Sequence, residues 1–375
     1  MPNFMETKIS KFFLASFVLL GTIIGAGFFS LPYLLTVVGG KIFFAQFFIL
    51  FILVILVHLL FGEIATKTPD EKRLPGFVRI YLGKNTERFS FFVALLGILG
   101  GQLVYLILAG QFLKDIFSPK LELSEDLWAF FSFLLGFLLI YFDIRAVSRF
   151  ELLGVFGFLI IFFFLFFKNF SQIHLQNFSF EGRLFSPFLP FGPILFSFWG
   201  LSLIPEIEEM LKERKQLLKS VIFFSFFVVA LFYLLFIFFV TGICPKEQIL
   251  PSALLSLKNF LKPLDFKLLL IVGFFTVFTS FVAFGLTLKK ILWYDLNLPH
   301  RLSFVFASLL PFTLYLLGVK NFLKIISFLG SVGLGLEAIL VLLIYKKIGT
   351  HRFLSFPLIA IFLLGIFFEF QNFLK

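Results

Sequence analysis

The chain has 375 residues, of which 60% are hydrophobic and only 14% are charged. A soluble domain of this size would need more polar surface to cover its core, so the composition excludes that class and indicates an integral membrane protein. The net charge of +11 could suit nucleic acid, but most of the 32 lysines and arginines lie in short loops between apolar runs. The positive-inside bias of membrane proteins explains them better, and no nucleic-acid partner is expected.

Apolar runs long enough to cross about 30 Å of hydrocarbon recur along the whole chain. They lie near 12–38, 40–62, 89–113, 127–142, 150–167, 188–210, 218–243, 267–288, 302–318, 322–344 and 353–369. We therefore expect a single all-α integral membrane domain over residues 1–375, embedded in the lipid bilayer with about eleven transmembrane helices. Lysine and arginine concentrate in alternate loops, which predicts a multi-pass plasma-membrane protein with a cytoplasmic N-terminus and an external C-terminus.

The first apolar run is interrupted at its centre. Gly21, Gly25, Gly27 and Pro32 weaken a helix that the surrounding residues would otherwise continue. Unpaired backbone in hydrocarbon is costly, so such a break indicates a cavity or a ligand. The free N–H groups at the start of a second half-helix, near Phe28, would suit a carboxylate. The alternative is close helix packing through the GxxxG pair of Gly21 and Gly25.

The sixth apolar run is interrupted in a similar way, and we expect the stretch from Phe196 to Gly200 to be unwound. Its freed carbonyls would suit an ammonium group, with Phe198 and Trp199 as apolar walls. The alternative is an ordinary kinked helix that ends at Pro205.

Two interrupted spans, five spans apart, are typical of transporters built from inverted repeats. The expected division is repeat one at about 12–167, repeat two at about 188–344 and an extra helix at about 353–369.

The eighth run offers a candidate cation site. Thr276, Thr279 and Ser280 lie at i, i+3 and i+4, so their hydroxyls share one helix face. With backbone carbonyls of Gly21 and Ile24 they could form an oxygen cage that suits Na⁺. The alternative is that the hydroxyls bond to carbonyls of their own helix.

Two carboxylates fall within apolar runs, where ionisable groups are functional candidates. Glu206 and Glu337 could each carry a proton; the alternatives are a gate salt bridge for Glu206 and a paired or cavity-facing carboxylate for Glu337. His58 is expected at the membrane interface. The single cysteine, Cys244, and the scattered histidines show no metal-ligand spacing, so no cofactor is expected beyond a coupling cation.

Four motifs resemble the amino acid/auxin permease family and the related hydroxy and aromatic amino acid permeases of the amino acid–polyamine–organocation superfamily. They are Gly21-Thr22-Ile23-Ile24-Gly25-Ala26-Gly27 with Leu31-Pro32-Tyr33, then Gly101-Gln102-Leu103-Val104-Tyr105-Leu106, Ile204-Pro205-Glu206-Ile207 and Thr279-Ser280. The resemblance implies a leucine-transporter-like, five-plus-five inverted repeat with discontinuous helices 1 and 6, and L-amino acids as substrates. It also implies that Gly25, Ala26 and Gly27 hold the carboxylate, that Tyr105 closes over it, and that Thr279 and Ser280 belong to a sodium site.

The expected function is cation-coupled symport of neutral L-amino acids, aromatic or large apolar ones included, by alternating access. The expected substrate-binding residues are Thr22, Gly25, Ala26, Gly27, Tyr105, Phe196, Ser197, Phe198, Trp199 and Gly200. Alternatives are a proton-coupled amino acid permease or a carrier of another small organic solute. A membrane-embedded enzyme would need clustered carboxylates or histidines, and the sequence shows none. The sequence indicates no oligomeric state.

Overall fold

The computed structural model describes residues 8–68, 72–142, 147–178, 181–182, 187–349 and 352–373. These residues form α-helices joined by short 3₁₀ and π segments. The α-helices are α1 (Lys8–Ile23), α2 (Leu31–Val38), α3 (Gly40–Lys67), α4 (Leu74–Leu82), α5 (Lys84–Phe117), α6 (Glu125–Tyr141), α7 (Val147–Lys168), α8 (Phe191–Phe198), α9 (Ile204–Leu211), α10 (Leu218–Ile243), α11 (Pro263–Lys290), α12 (His300–Leu316), α13 (Phe322–Phe328), α14 (Gly335–Ile348) and α15 (Ser355–Phe373).

Helices occupy all eleven predicted spans. Among the described residues, 6 helices are long and apolar enough to cross a membrane, and the bent pair α1 and α2 raises this to 7. The remaining predicted spans correspond to α6, α7, α12 and the broken pair α8 and α9. The expected all-α architecture with about eleven spans is therefore confirmed.

The first span is broken where its glycines cluster. α1 ends at Ile23, a 3₁₀ turn covers Gly27–Ser30, and α2 begins at Leu31 with a proline in its first turn. Proline is well tolerated there because the first N–H groups of a helix have no intrahelical acceptor. The two halves are bent by 49°.

The sixth span is also broken. α8 ends at Phe198, Trp199 is extended (φ −80°, ψ 127°), and a 3₁₀ turn at Leu201–Leu203 leads into α9. The predicted unwinding is thus found at the end of the predicted stretch, at Trp199 and Gly200. Because both broken spans lie in the core, the polar backbone groups at the breaks are enclosed by protein.

The tenth span contains a π segment, Leu329–Leu334, between α13 and α14. Its Gly330 packs directly on the backbone of Gly192 in α8, where neither position leaves space for a Cβ atom. Elsewhere α11 packs most extensively on α5 and α7, which holds the eighth span against the third and fifth. The two halves of the broken sixth span, α8 and α9, pack against the first, second and tenth spans.

Candidate functional site

The two broken spans meet at their breaks. A Cβ atom added to Gly27 would lie 2.6 Å from Ser197 Oγ, 2.8 Å from Ser197 Cα and 2.9 Å from the Phe196 ring. These contacts leave no room for a side chain, so only glycine fits where the first span crosses the sixth. The structure thus brings Gly27, Phe196 and Ser197, all predicted for the site, into one junction.

A tyrosine that the sequence analysis did not select ties this junction together. The Tyr233 hydroxyl of α10 lies 2.9 Å from the Ile23 carbonyl and 2.7 Å from the Ser197 carbonyl. A hydroxyl has one proton, so it donates to one of these carbonyls at a time. The Tyr233 side chain is fully buried. One side chain therefore bridges the ends of α1 and α8.

His58 is not at the membrane interface, and that expectation is wrong: its side chain is fully buried. Its Nδ1 lies 2.7 Å from the Val54 carbonyl, and its Nε2 lies 3.2 Å from the Gly200 backbone nitrogen. The carbonyl only accepts and the backbone N–H only donates, so Nδ1 carries the proton and Nε2 accepts. The neutral imidazole thereby satisfies an N–H group freed by the sixth break.

The first break presents backbone donors. Within the described residues, the N–H groups of Ala26, Gly27 and Phe28 have no hydrogen-bond acceptor. The Tyr105 hydroxyl lies over the same segment, 2.9 Å from a Cβ atom placed on Gly25. The Tyr105 ring packs edge-on against Phe284 of α11 at 5.3 Å. This group of donors resembles the anion-binding end of a helix, and it lies beside the junction of the two breaks.

The sixth break also connects to the tenth span. The Trp199 indole N–H donates to Glu337 Oε2 at 2.9 Å. Glu337 also lines a cavity of about 880 Å³, whose other walls include Leu201 and Ser202 after the sixth break and Arg73 in the loop before α4. The carboxylate therefore contacts the broken segment on one side and the cavity on the other.

Two predicted substrate residues have other surroundings. Phe198 is fully buried, with its ring 5.1 Å from Phe47 and 5.2 Å from Tyr233, so it packs in the core between α3 and α10. Thr22 is exposed, and its hydroxyl donates to the Val18 carbonyl at 3.3 Å. Roles for both in substrate binding stay predictions.

The hydroxyls expected to form a cation cage bond within their own helix. Thr276 Oγ1 donates to the Val272 carbonyl at 2.9 Å, and Thr279 Oγ1 donates to the Phe275 carbonyl at 2.8 Å. Donation leaves the oxygen lone pairs available to a cation. A Na⁺ site formed by these hydroxyls with the Gly21 and Ile24 carbonyls stays a prediction. No group of three or more His, Cys, Asp and Glu in the described part of the chain could hold a metal.

Glu206 forms an ion pair at the mouth of the cavity. Arg73 Nε lies 2.6 Å from Glu206 Oε1, and Arg73 Nη1 lies 2.8 Å from Glu209 Oε1. One guanidinium group therefore links the loop before α4 to α9, the second half of the sixth span. This is the arrangement expected of a gate salt bridge, whereas the gating role itself is a prediction.

Arg73→Gln is expected to favour opening at this face. The two partly exposed ion pairs are worth on the order of 1 kcal/mol together, or about a fivefold shift in an opening equilibrium. The measurement is the rate at which a thiol reagent labels Ser202→Cys in the cavity, with buried Cys244 giving little background. Arg73→Lys keeps the charge and is the control. Equal labelling rates in all three backgrounds would show that these ion pairs do not restrain opening.

These breaks, with backbone donors facing a shared junction, define a membrane transporter with the leucine-transporter fold, and not an enzyme. The model of the tryptophan/tyrosine permease family matches residues 8–352, and the chain belongs to that family. This places it among the amino acid–polyamine–organocation transporters, as the resemblance in the sequence indicated. A search of the curated proteins finds no match.

Solved structures with the same fold span almost the whole chain. MhsT in complex with L-phenylalanine is 14% identical, with a TM-score of 0.65 over 96% of this chain and 99% of that one. A manganese transporter of Eremococcus coleocola, bound to an aromatic bis-isothiourea compound, is 12% identical, with a TM-score of 0.70 over 100% and 90%. Mhp1, a nucleobase-cation-symport-1 transporter with bromovinylhydantoin bound, is 11% identical, with a TM-score of 0.64 over 91% and 78%.

Proposed function

We propose that this protein is a secondary active symporter that moves neutral aromatic L-amino acids across the plasma membrane, coupled to a cation. The observation that carries the proposal is the set of unpartnered N–H groups at Ala26, Gly27 and Phe28 beside the sixth break. A small anionic group would satisfy them, and the α-carboxylate common to all amino acids has that charge and size.

The proposed substrate pose follows from the two breaks. The α-carboxylate binds at Gly25, Ala26 and Gly27, and the Tyr105 hydroxyl closes over it. The α-amino group binds to carbonyls freed between Phe196 and Gly200. Backbone groups therefore recognise the part of the substrate that every amino acid shares, and the side-chain preference is set elsewhere.

A neutral, aromatic side chain fits the surroundings of the junction. The Phe196 ring lies against Gly27, Trp199 follows the end of α8, and the Phe284 ring packs on Tyr105 beside Gly25. Aromatic rings pack well against one another, edge to face or offset. Glu337, the carboxylate that contacts the sixth break, already accepts a hydrogen bond from Trp199, so a cationic substrate side chain would have to compete for it. The family name and the phenylalanine complex of MhsT agree with this substrate class.

Alternating access would use the repeats at about 12–167 and about 188–344, with the N-terminus in the cytoplasm and the C-terminus outside. The cavity of about 880 Å³ would then be the inner vestibule, since it opens beside α4 and α9. The Arg73–Glu206 ion pair would close its mouth when the opposite side opens.

Two coupling ions have candidate sites. Na⁺ would bind to Thr276, Thr279, Ser280 and carbonyls of Gly21 and Ile24, all of them hard oxygen ligands. A proton would bind to Glu337, with Glu206 as the alternative carboxylate. Glu337 has the stronger support because it contacts Trp199 at the break and faces the cavity, whereas Glu206 is paired with Arg73.

The test is uptake of radiolabelled L-phenylalanine, L-tyrosine and L-tryptophan into proteoliposomes, with a Na⁺ gradient or a proton gradient imposed separately. Concentrative uptake in one condition and not in the other would support the proposal and identify the ion. Absence of uptake of all three by folded, inserted protein would contradict it.

The variants that follow depend on that result. If Na⁺ drives uptake, Thr279→Ala should abolish the Na⁺ dependence. Thr287→Ala, which removes an exposed hydroxyl on the same helix, should not. If protons drive uptake, Glu337→Gln should leave substrate exchange intact but stop accumulation.

A further inference from the structure

A second buried carboxylate lies in the last helix. Glu369 of α15 is 7% exposed, and its Oε2 accepts hydrogen bonds from Ser327 Oγ at 2.7 Å and Ser331 Oγ at 3.1 Å. No lysine, arginine or histidine of the described residues pairs with it. A charge in this position is costly without a counter-ion, so the group needs a proton or a partner.

The elements packed against α15 bring no cation to Glu369. Neither the π segment nor α8 contains a titratable residue. On α14, Glu337 bonds to Trp199 instead, while Lys346 and Lys347 lie at the far end of the helix, as does Arg352 before α15. Lys324, one turn before Ser327, is exposed and does not pair with Glu369.

The two serines connect this carboxylate to the sixth span. Ser331 lies in the π segment, and its Oγ would be 2.5 Å from a Cβ atom on Gly192 of α8. The Ser327 carbonyl is even closer to the same position. π segments inside α-helices are frequent at functional sites. One hydroxyl therefore touches both the Glu369 carboxylate and the backbone of the outer half of the sixth span.

We propose that Glu369, near the end of α15 that the proposed topology places outside, is a proton-binding site whose charge controls the packing of the π segment on α8. The proposal rests on the proposed transport function and on its topology. A proton from the external solution adds to the carboxylate, and no other bond is made or broken. A metal cation is disfavoured because both serine hydroxyl protons point at the carboxylate and would have to turn away from it.

The charge state changes the two hydrogen bonds. Hydrogen bonds to an ionised carboxylate are roughly twice as strong as those between neutral groups. The charged Glu369 therefore holds Ser327 and Ser331 tightly, and protonation loosens them. Because Ser331 packs on Gly192, loosening frees α8 to move relative to the tenth span.

The experiment compares wild type, Glu369→Gln and Glu122→Gln in proteoliposomes loaded with unlabelled L-phenylalanine. Glu122 is exposed in the loop before α6, so its replacement controls for loss of a carboxylate. Exchange of labelled for unlabelled substrate is measured over a range of external pH, together with accumulation driven by a proton gradient. A gradient of one pH unit supports up to about tenfold accumulation for each proton that is coupled to the substrate.

We expect Glu369→Gln to exchange substrate with no dependence on external pH and to accumulate none, so that the inside-to-outside ratio falls to about 1. Glu122→Gln should match wild type. A Glu369→Gln protein that keeps the wild-type pH profile and accumulation overturns the proposal, as does wild-type transport that ignores the proton gradient. Absence of all wild-type transport would instead contradict the proposed function.

Ser327→Ala with Ser331→Ala gives a second test that keeps the carboxylate. Removing both donors destabilises the charged form, so the external pH at half-maximal exchange should rise relative to wild type. An unchanged or lower midpoint overturns the proposal. An infrared difference band from a protonated carboxyl, absent in Glu369→Gln, reports the same titration without transport.

Discussion

Gly27→Ala is expected to abolish most transport. The added methyl group would lie 2.6 Å from Ser197 Oγ and 2.8 Å from Ser197 Cα, and the second of these atoms cannot rotate away. Overpacking of this kind costs about 1–3 kcal/mol, which corresponds to a loss of about 5- to 150-fold in the population of the closed junction. The initial rate of L-phenylalanine uptake in proteoliposomes measures the effect.

Gly97→Ala is the matched control. Gly97 also lies within a membrane helix, α5, but a Cβ atom there would meet nothing within 4 Å. We expect this variant to keep wild-type uptake and slightly higher stability, because alanine favours helix by about 1 kcal/mol over glycine. Wild-type uptake by Gly27→Ala would mean that the close contact between the two breaks is not used in the transport cycle.

The fold could be predicted from the sequence because its main signals are local. Runs of about 20 apolar residues determine the spans, and glycine and proline within a run mark where a helix breaks. Both breaks were found this way, since Gly25 and Gly27 in the first span and Gly200 in the sixth lie in the non-helical or 3₁₀ stretches of the structure. Such signals need no knowledge of the neighbouring helix.

The partners of the breaks could not be predicted, because they come from distant parts of the chain. His58 bonds to Gly200 across 142 positions, and Tyr233 bonds to Ile23 across 210. In the sequence each is a single polar ring within an apolar run, which is compatible with an interfacial position or a buried one. Only the packing of α3 and α10 against the breaks distinguishes the two.

The sequence also did not predict which way the side chains near a break point. We expected Phe196 and Phe198 to lie in an unwound stretch, where helical periodicity does not apply, but both belong to α8, in which positions two apart face nearly opposite sides. Phe196 and Phe198 are two positions apart; the first lies against Gly27, whereas the second packs on Phe47. Glu369 was missed for a related reason, because one of its two serine partners, Ser331, belongs to a π segment that shifts the helix face.

Tyr233→Phe is expected to slow transport roughly tenfold and to destabilise the protein. It leaves the ring packing intact but removes the proton that the Ile23 and Ser197 carbonyls share. The Ile23 carbonyl still accepts from the Gly25 N–H at 2.8 Å, so the Ser197 carbonyl is the group that loses its donor. A buried polar group that loses its hydrogen bond costs about 1–3 kcal/mol. Uptake kinetics and thermal unfolding in detergent measure the two effects. Tyr294→Phe, which alters an exposed hydroxyl on the π turn after α11, is the control and should match wild type in both.

The kinetic constants for Tyr233→Phe show when the bridge is used. The hydroxyl is 2.9 Å from one half of the junction and 2.7 Å from the other, so it can follow either carbonyl as the spans separate. If it bridges the two in only one state of the cycle, its loss disfavours that state, and the maximal rate falls while KM changes little. A raised KM at an unchanged maximal rate would instead show that the hydroxyl supports binding, by fixing the Ser197 segment against the substrate. Unchanged kinetics and unchanged stability together would contradict the bridge.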